Sequence, residues 1–303
     1  MTRDRGASGR KAGWLAVTVS LASLLATVSP TGAQDVPDVM VLLDRAALYA
    51  TDYGASFRPV IAQEHYEQAE WIRGAPRAWR KLQSDFIMLY VPENEEWLGF
   101  RDVRAVDGQS LGQKTLSRRL EKLLSGGREM RRLRDEAARY NIGEIERNVN
   151  VPTLALRYLE TEALHRSNWE VGDMEEIDGV PVVSLSFEEI AHPTLVQSLS
   201  LRPDVPARGT FWVDPGKGTV IRSRLHLKEA GGAEGDITVT YRFDPGLSMW
   251  LPAEMDEIYT PDIGRRPFDE TRCRAVYTDY VSAEVQTEEL GIRLTPEQQE
   301  ALE

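Results

Sequence analysis

Residues 108–112, Gly-Gln-Ser-Leu-Gly, have the G-x-S-x-G spacing that presents a serine nucleophile on a sharp turn, so Ser110 is the first candidate for chemistry. That chemistry needs a histidine base and an acidic partner on later strand–helix units. The later histidines, His165, His192 and His226, fall on an expected helix end, a loop and an exposed strand face, and Asp107-Gly108 also reads as an ordinary turn. A second candidate is Gly216-Lys217-Gly218-Thr219, whose residue types suit a phosphate cradle. Its spacing does not: Lys217 is followed by Gly218 rather than a hydroxyl residue, and an alternating strand pattern follows instead of a helix.

Metal ligation finds little support. The four histidines, His65, His165, His192 and His226, are widely separated, and the one cysteine, Cys273, has no Cys/His cluster around it. Paired carboxylates for acid–base work could come from Glu175-Glu176-Asp178 or Glu188-Glu189. Neighbours on a strand point to opposite faces, so a solvated surface is expected for both groups. A basic stretch, Lys114, Arg118, Arg119, Lys122, Arg128, Arg131, Arg132 and Arg134, could face anionic headgroups or a partner, but interspersed acids suit i,i+4 ion pairs on a helix surface. No cofactor and no metal site is expected.

The elements that would position any site begin after an export signal. Arg3, Arg5, Arg10 and Lys11 precede an apolar run from Gly13 to Val28, and Thr31-Gly32-Ala33 supplies the small residues a signal peptidase reads. The apolar run is about 16 residues, shorter than the roughly 20 of a membrane span. Cleavage after about Ala33 and a periplasmic location are therefore expected. A formal net charge of -12 and a pI near 5.0 argue against nucleic-acid binding, which depends on neutralising phosphates. Cys273 shares its parity with Ala275 and Tyr277, which suggests a small buried hydrophobe.

Apolar spacing predicts a helix over 38–54 and strands over 59–72, 84–91 and 97–106. A helical insert is expected at about 113–166, with its last helix starting at Asn150-Val151-Pro152. Strands return from 168 onward. Phe211 and Val213 alternate with Thr210 and Trp212, and Ile221, Leu225 and Leu227 alternate with Arg222, Arg224 and His226, so Asp-Pro-Gly-Lys-Gly joins a β-hairpin. Ile237, Val239, Tyr241 and Phe243 alternate likewise, and a second Asp-Pro-Gly leads into Met249, Leu251 and Met255. These twelve apolar residues share one parity within each run. They are predicted to form one sheet face, available to an apolar ligand or covered by helices.

The pattern implies an α+β fold: an antiparallel sheet packed over helices, one domain over 34–285, and a tail over 286–303 with a short helix at Thr295-Pro296-Glu297-Gln298. With "GTFWVDPGKGTVIRSRL" and "TVTYRFDPGLSMWLPAEMDEIY" it resembles the LolA/LolB-like superfamily of lipoprotein-localisation factors. It is also similar to uncharacterised exported bacterial proteins carrying phrases like "SDF", "GFRDV…VDG", "ARYNIG" and "NVPTLAL", here at 84–86, 99–108, 138–143 and 150–156. The resemblance implies a curved half-barrel holding acyl chains in an apolar cavity. Three readings follow: a carrier of lipid, lipoprotein or another hydrophobic ligand, a non-catalytic envelope interaction or scaffold protein, and a serine hydrolase using Ser110.

Overall fold

The computed structural model describes residues 37–91, 96–112, 135–143, 147, 150–198, 204–261 and 269–282, the backbone of 285–288 and 291–294, and Glu96 by its backbone alone. Asp38 caps the first helix, its carboxylate accepting the Met40 N–H at 2.8 Å. The helix, α1 (Val39–Ser56), buries Leu42, Leu43, Ala46, Ala47, Ala50 and Tyr53. Four strands follow, β1 (Val60–Ile72), β2 (Ala75–Val91), β3 (Glu96–Val106) and β4 (Gln109–Ser110). Seven more complete the main sheet: β5 (Ser167–Ile177), β6 (Val180–Glu189), β7 (Ala207–Val213), β8 (Val220–Lys228), β9 (Glu234–Asp244), β10 (Met249–Thr260) and β11 (Glu270–Ser282).

The sheet order is β4-β3-β2-β1-β11-β10-β9-β8-β7-β6-β5. Two antiparallel meanders therefore meet where β1 pairs with β11, from Val60↔Ser282 to Trp71↔Glu270. The sheet is open, with β4 and β5 at its edges. One hydrophobic cluster joins both meanders to α1 and to residues 155–159, so the apolar face is covered by the chain's own helical segments. This is the α+β class expected from alternating strands and one amphipathic helix.

Two expectations change. Residues 113–134, with the basic stretch, lie outside the described residues. The helix expected from Pro152 is replaced by two 3-10 helices, Leu154–Leu159 and Thr161–Arg166, separated by Glu160 in an extended conformation. A three-residue repeat stacks Ala155 over Tyr158 and Leu156 over Leu159, and all four are buried. The tail contains a hairpin, β12 (Val285–Glu288) with β13 (Gly291–Leu294), that the pattern did not suggest; the helix expected at 295–298 lies outside the described residues.

Candidate functional site

Each motif that could do chemistry has a local structural explanation. Asp107 and Gly108 have φ of 49° and 80° and form the turn into β4, whose two residues pair with Ala105 and Val106. Strand–turn–strand replaces the strand–turn–helix of a nucleophile elbow. Ser110 is exposed, its Oγ accepts the Gly112 N–H at 3.3 Å, and none of the four histidines hydrogen-bonds to it. In the Asp214–Gly218 loop, the Asp214 carboxylate accepts from the N–H groups of Gly216 (2.7 Å) and Lys217 (3.0 Å). The donors a phosphate would need are therefore already occupied.

The histidines stay apart, His192 paired with Asp204 (2.9 Å) and His226 with Asp236 (3.1 Å). Among the described residues no group of three or more His, Cys, Asp or Glu could hold a metal ion. Glu175 accepts from the Trp212 indole at 3.1 Å, and Glu176, Asp178 and Glu188 are surface residues. Glu189, expected at the surface, is buried because strand alternation turns it inward when Glu188 turns out; its Oε1 accepts the Leu195 N–H at 2.8 Å.

Of the twelve predicted inner-face residues, Phe211, Val213, Leu225, Leu227, Ile237, Val239, Tyr241, Leu251 and Met255 are buried in a single cluster. Their cover is Leu42, Leu43, Ala46, Ala50 and Tyr53 of α1 with Leu156, Tyr158 and Leu159. Met249 is half-buried and packs against the same cluster. Two residues depart from the expectation. A bulge in the β7–β8 pairing sets Val220 opposite Val213, so Ile221 packs in a separate cluster with Ile177 and Val182. Phe243 lies near the end of β9, 48 % exposed, with its ring against Trp250.

The hairpin loop also fastens α1 in place. Gly218 has φ of 72°, and a Cβ there would collide with the backbone of Arg45 and Ala46. Arg45 in turn donates to the Pro215 carbonyl at 2.5 Å, and the Tyr241 hydroxyl donates to the Pro152 carbonyl at 2.8 Å.

At the β1–β3 and β10–β11 end the interior changes from apolar to charged, and sequence reasoning missed this entirely. Arg101 on β3 and Glu64 on β1 form a buried bidentate pair: Nη2 donates to Oε1 at 2.6 Å, and Nε donates to Oε2. The guanidinium lies 4.0 Å from the Tyr66 ring centroid. Burial works against the Arg101 charge, but the Glu64 carboxylate and its hydrogen bond, with Tyr66 and Tyr277, together hold the pKa above the ordinary value.

Beside this pair, Glu257 accepts from the hydroxyls of Tyr66 (2.8 Å) and Tyr259 (2.5 Å). Burial raises its pKa, an effect that those two hydrogen bonds, Arg101 and Arg147 only partly offset. Arg147 reaches in from the insert, donating to Gln68 Oε1 at 2.5 Å, the Ile142 carbonyl at 3.0 Å and Cys273 Sγ at 2.6 Å. Gln68 also donates to the Tyr140 carbonyl at 3.0 Å and accepts the Ile142 N–H at 3.1 Å. The described residues of 140–147 thus close the charged end as α1 closes the apolar end. Cys273 is buried as expected, with burial pushing its thiol up to about 12, so no reactive thiolate forms near neutral pH. A cavity of about 170 Å³ lies beside this end, between β3 and the 136–140 turn, with Arg101, Arg104, Leu111 and Tyr140 among its lining residues.

One signal could have found the charged end. Glu64, Tyr66 and Gln68 share the parity of Val60 and Ala62, and Glu257 and Tyr259 share that of Met255. Parity therefore places the two glutamates inside.

No protein-family model matches the chain, and none of the curated proteins matches it. Solved structures similar to it include a DUF1329 family protein from Desulfovibrio piger, 9% identical, covering 80% of this chain and 92% of that one, with a TM-score of 0.38. A LolA superfamily protein from Nitrosomonas europaea is 13% identical over 82% of this chain and 96% of that one, TM-score 0.34. A provisionally assigned outer membrane lipoprotein-sorting protein domain from Vibrio parahaemolyticus is 11% identical over 83% and 96%, TM-score 0.35.

Proposed function

We propose that this is an exported, non-catalytic protein of the cell envelope that acts by binding a partner, with the apolar face of its sheet filled by its own helical segments. The observation that carries the reading is the cover over that face. Phe211, Val213 and Met255 are 0 % exposed beneath α1 and the first 3-10 helix, and the Gly218–Arg45 contact with the Arg45–Pro215 bond fixes the helix to the sheet. Export rests on the basic, apolar and small-residue zones before Gln34. N-terminal sequencing of envelope-fraction protein should read from near Gln34; an intact Met1 in the cytoplasmic fraction would refute export.

A second reading, carriage of an acyl chain or lipoprotein after displacement of α1, is favoured by one observation. The interior beside α1 holds polar atoms without partners, Tyr53 Oη and Trp97 Nε1, whose ring centroids lie 5.6 Å apart, which a ligand's polar end could satisfy. Val239→Gln separates the two. With the face permanently filled, the change unfolds the protein, because an unpaired buried amide costs about 1–3 kcal/mol beyond the lost packing. A carrier tolerates it, loses uptake of a fluorescent fatty acid, and retains lipid in native mass spectrometry when purified without detergent. The hydrolase reading requires a fluorophosphonate probe to label Ser110; the expected result is no labelling.

A further inference from the structure

The turn and β2 side of the β1–β2 hairpin are locally basic in an acidic chain, opposite a β1 strand that carries Glu67 and Glu70. Residues 72–83 (IRGAPRAWRKLQ) contain four cations, Arg73, Arg77, Arg80 and Lys81, and no acid, in a protein whose net charge is -12. Its turn is the tight two-residue kind, Arg73 and Gly74 having φ of 54° and 76°. Strand β3 pairs with β2 only as far as Leu82↔Val106. Lys81 is still held by the β3–β4 turn, its carbonyl accepting the Asp107 N–H at 2.8 Å and its own N–H donating to the Asp107 carboxylate at 2.8 Å, so residues 75–80 run past β3 by about 20 Å at roughly 3.3 Å per residue, with strand pairing to β1 alone.

Two of the cations are committed: Lys81 to Glu67 at 2.6 Å, and Arg80 to the Tyr140 carbonyl at 3.2 Å. The guanidiniums of Arg73 and Arg77 are exposed and have no partner among the described residues. Between them and the sheet stands Trp79, 61 % exposed, its ring 6.5 Å from that of Trp71. Arg272 lies 5.0 Å from the Trp71 ring and pairs with Glu270 at 2.5 Å, and the Asp269 carboxylate accepts the Arg73 backbone N–H at 2.9 Å.

Protection of a free edge accounts for Pro76 and the cations. It does not account for an exposed tryptophan, which would itself promote association. Indole rings partition to the boundary between headgroups and acyl chains, and guanidinium binds phosphate bidentately. We infer that the hairpin tip, through Trp79, Arg73 and Arg77, docks the protein onto a bilayer surface containing anionic phospholipid. The acidic remainder of the molecule is repelled from the same surface, so docking is tip-first and weakens with salt.

The test is flotation of the purified protein with vesicles of phosphatidylcholine, with and without phosphatidylglycerol. Binding is expected only to the anionic vesicles and is lost in high salt. Each cation near such a surface contributes about fivefold in partitioning, so Arg73→Ala with Arg77→Ala should lower it about 25-fold. Trp79→Ala should also abolish flotation, and brominated lipid should quench tryptophan emission in the wild type but not in that variant. All three side chains are exposed, and unchanged circular dichroism confirms folding. Equal binding to both vesicle types, or none to either, overturns the inference. So does loss of binding in Leu48→Asp, on the exposed side of α1, with Trp79→Ala unaffected.

Discussion

The two ends of the sheet interior are closed by different physics. Over β7–β9 and the first half of β10 the inward side chains are almost all apolar, Ser223 being the exception, and the cover is a helix of leucines and small alanines. Over β1–β3 and β11 the inward side chains include Glu64, Arg101, Gln68 and Cys273, with Glu257 of β10 beside them, and the cover reaches them through Arg147. Apolar burial is nondirectional and tolerates small displacements, whereas a buried charge is stable only while its partner is in place. The helical cover therefore allows repacking, while the charged end admits one arrangement.

Removing one member of the buried pair should produce the largest effect. Arg101→Met leaves Glu64 uncompensated at full burial, and a loss of about 3–5 kcal/mol is expected in urea unfolding. The double change Glu64→Leu with Arg101→Met should recover much of that loss. If the single and double variants are equally unstable, shape rather than charge governs this end, and the contrast with the apolar end disappears.

At the apolar end the corresponding lesion is Gly218→Ala. The left-handed backbone alone costs about 1–3 kcal/mol for a residue with a Cβ, and the added methyl group pushes against the Arg45 backbone. The expected signature is local: faster amide exchange in α1 with slower change in the β1–β11 core. Uniform acceleration throughout the sheet would show that α1 and the sheet unfold as one unit.

The apolar end was legible and the charged end was not, for a reason visible in particular residues. Val239 and Tyr241 alternate with Thr238 and Thr240, and such alternation reveals a half-buried strand without further information. Glu64 sits in the inward parity of β1 between Ala62 and Tyr66, where its type suggests solvent; only Arg101, 37 residues away in sequence, makes burial tolerable. Long-range pairing has no local signature. The bulge that separates Ile221 from Leu225, and the 3-10 helices in place of an α-helix after Pro152, were hidden for the same reason. Residues 75–81 of β2 were missed because both of their faces are polar or largely exposed, leaving little apolar alternation to read.

The smallest effect and the finest test of the charged end concern Glu257. Burial raises its pKa above the ordinary carboxylate value, so the folded state holds the proton more tightly than the unfolded chain. Its stabilising contribution is therefore fully present below the ordinary value of 4.5 and is lost as pH rises through the raised one. Glu257→Gln keeps an acceptor for the Tyr66 and Tyr259 hydroxyls but cannot titrate. Subtracting the variant's unfolding free energy from the wild type's at each pH cancels every other group, including buried Glu189. The groups facing Glu257 do not interfere in this window: Tyr66 and Tyr259 are raised well above 10.0, the Cys273 thiol is pushed up to about 12, and Arg101 and Arg147 stay protonated. The orphaned amide NH₂ of the variant adds a penalty that does not vary with pH. The difference should thus favour the wild type at acid pH and shrink toward neutrality. A difference that is flat with pH would mean that Glu257 ionises in the folded state as readily as in the unfolded chain. The two tyrosine hydroxyls and the nearby Arg101 and Arg147 charges would then fully offset the cost of burying the carboxylate.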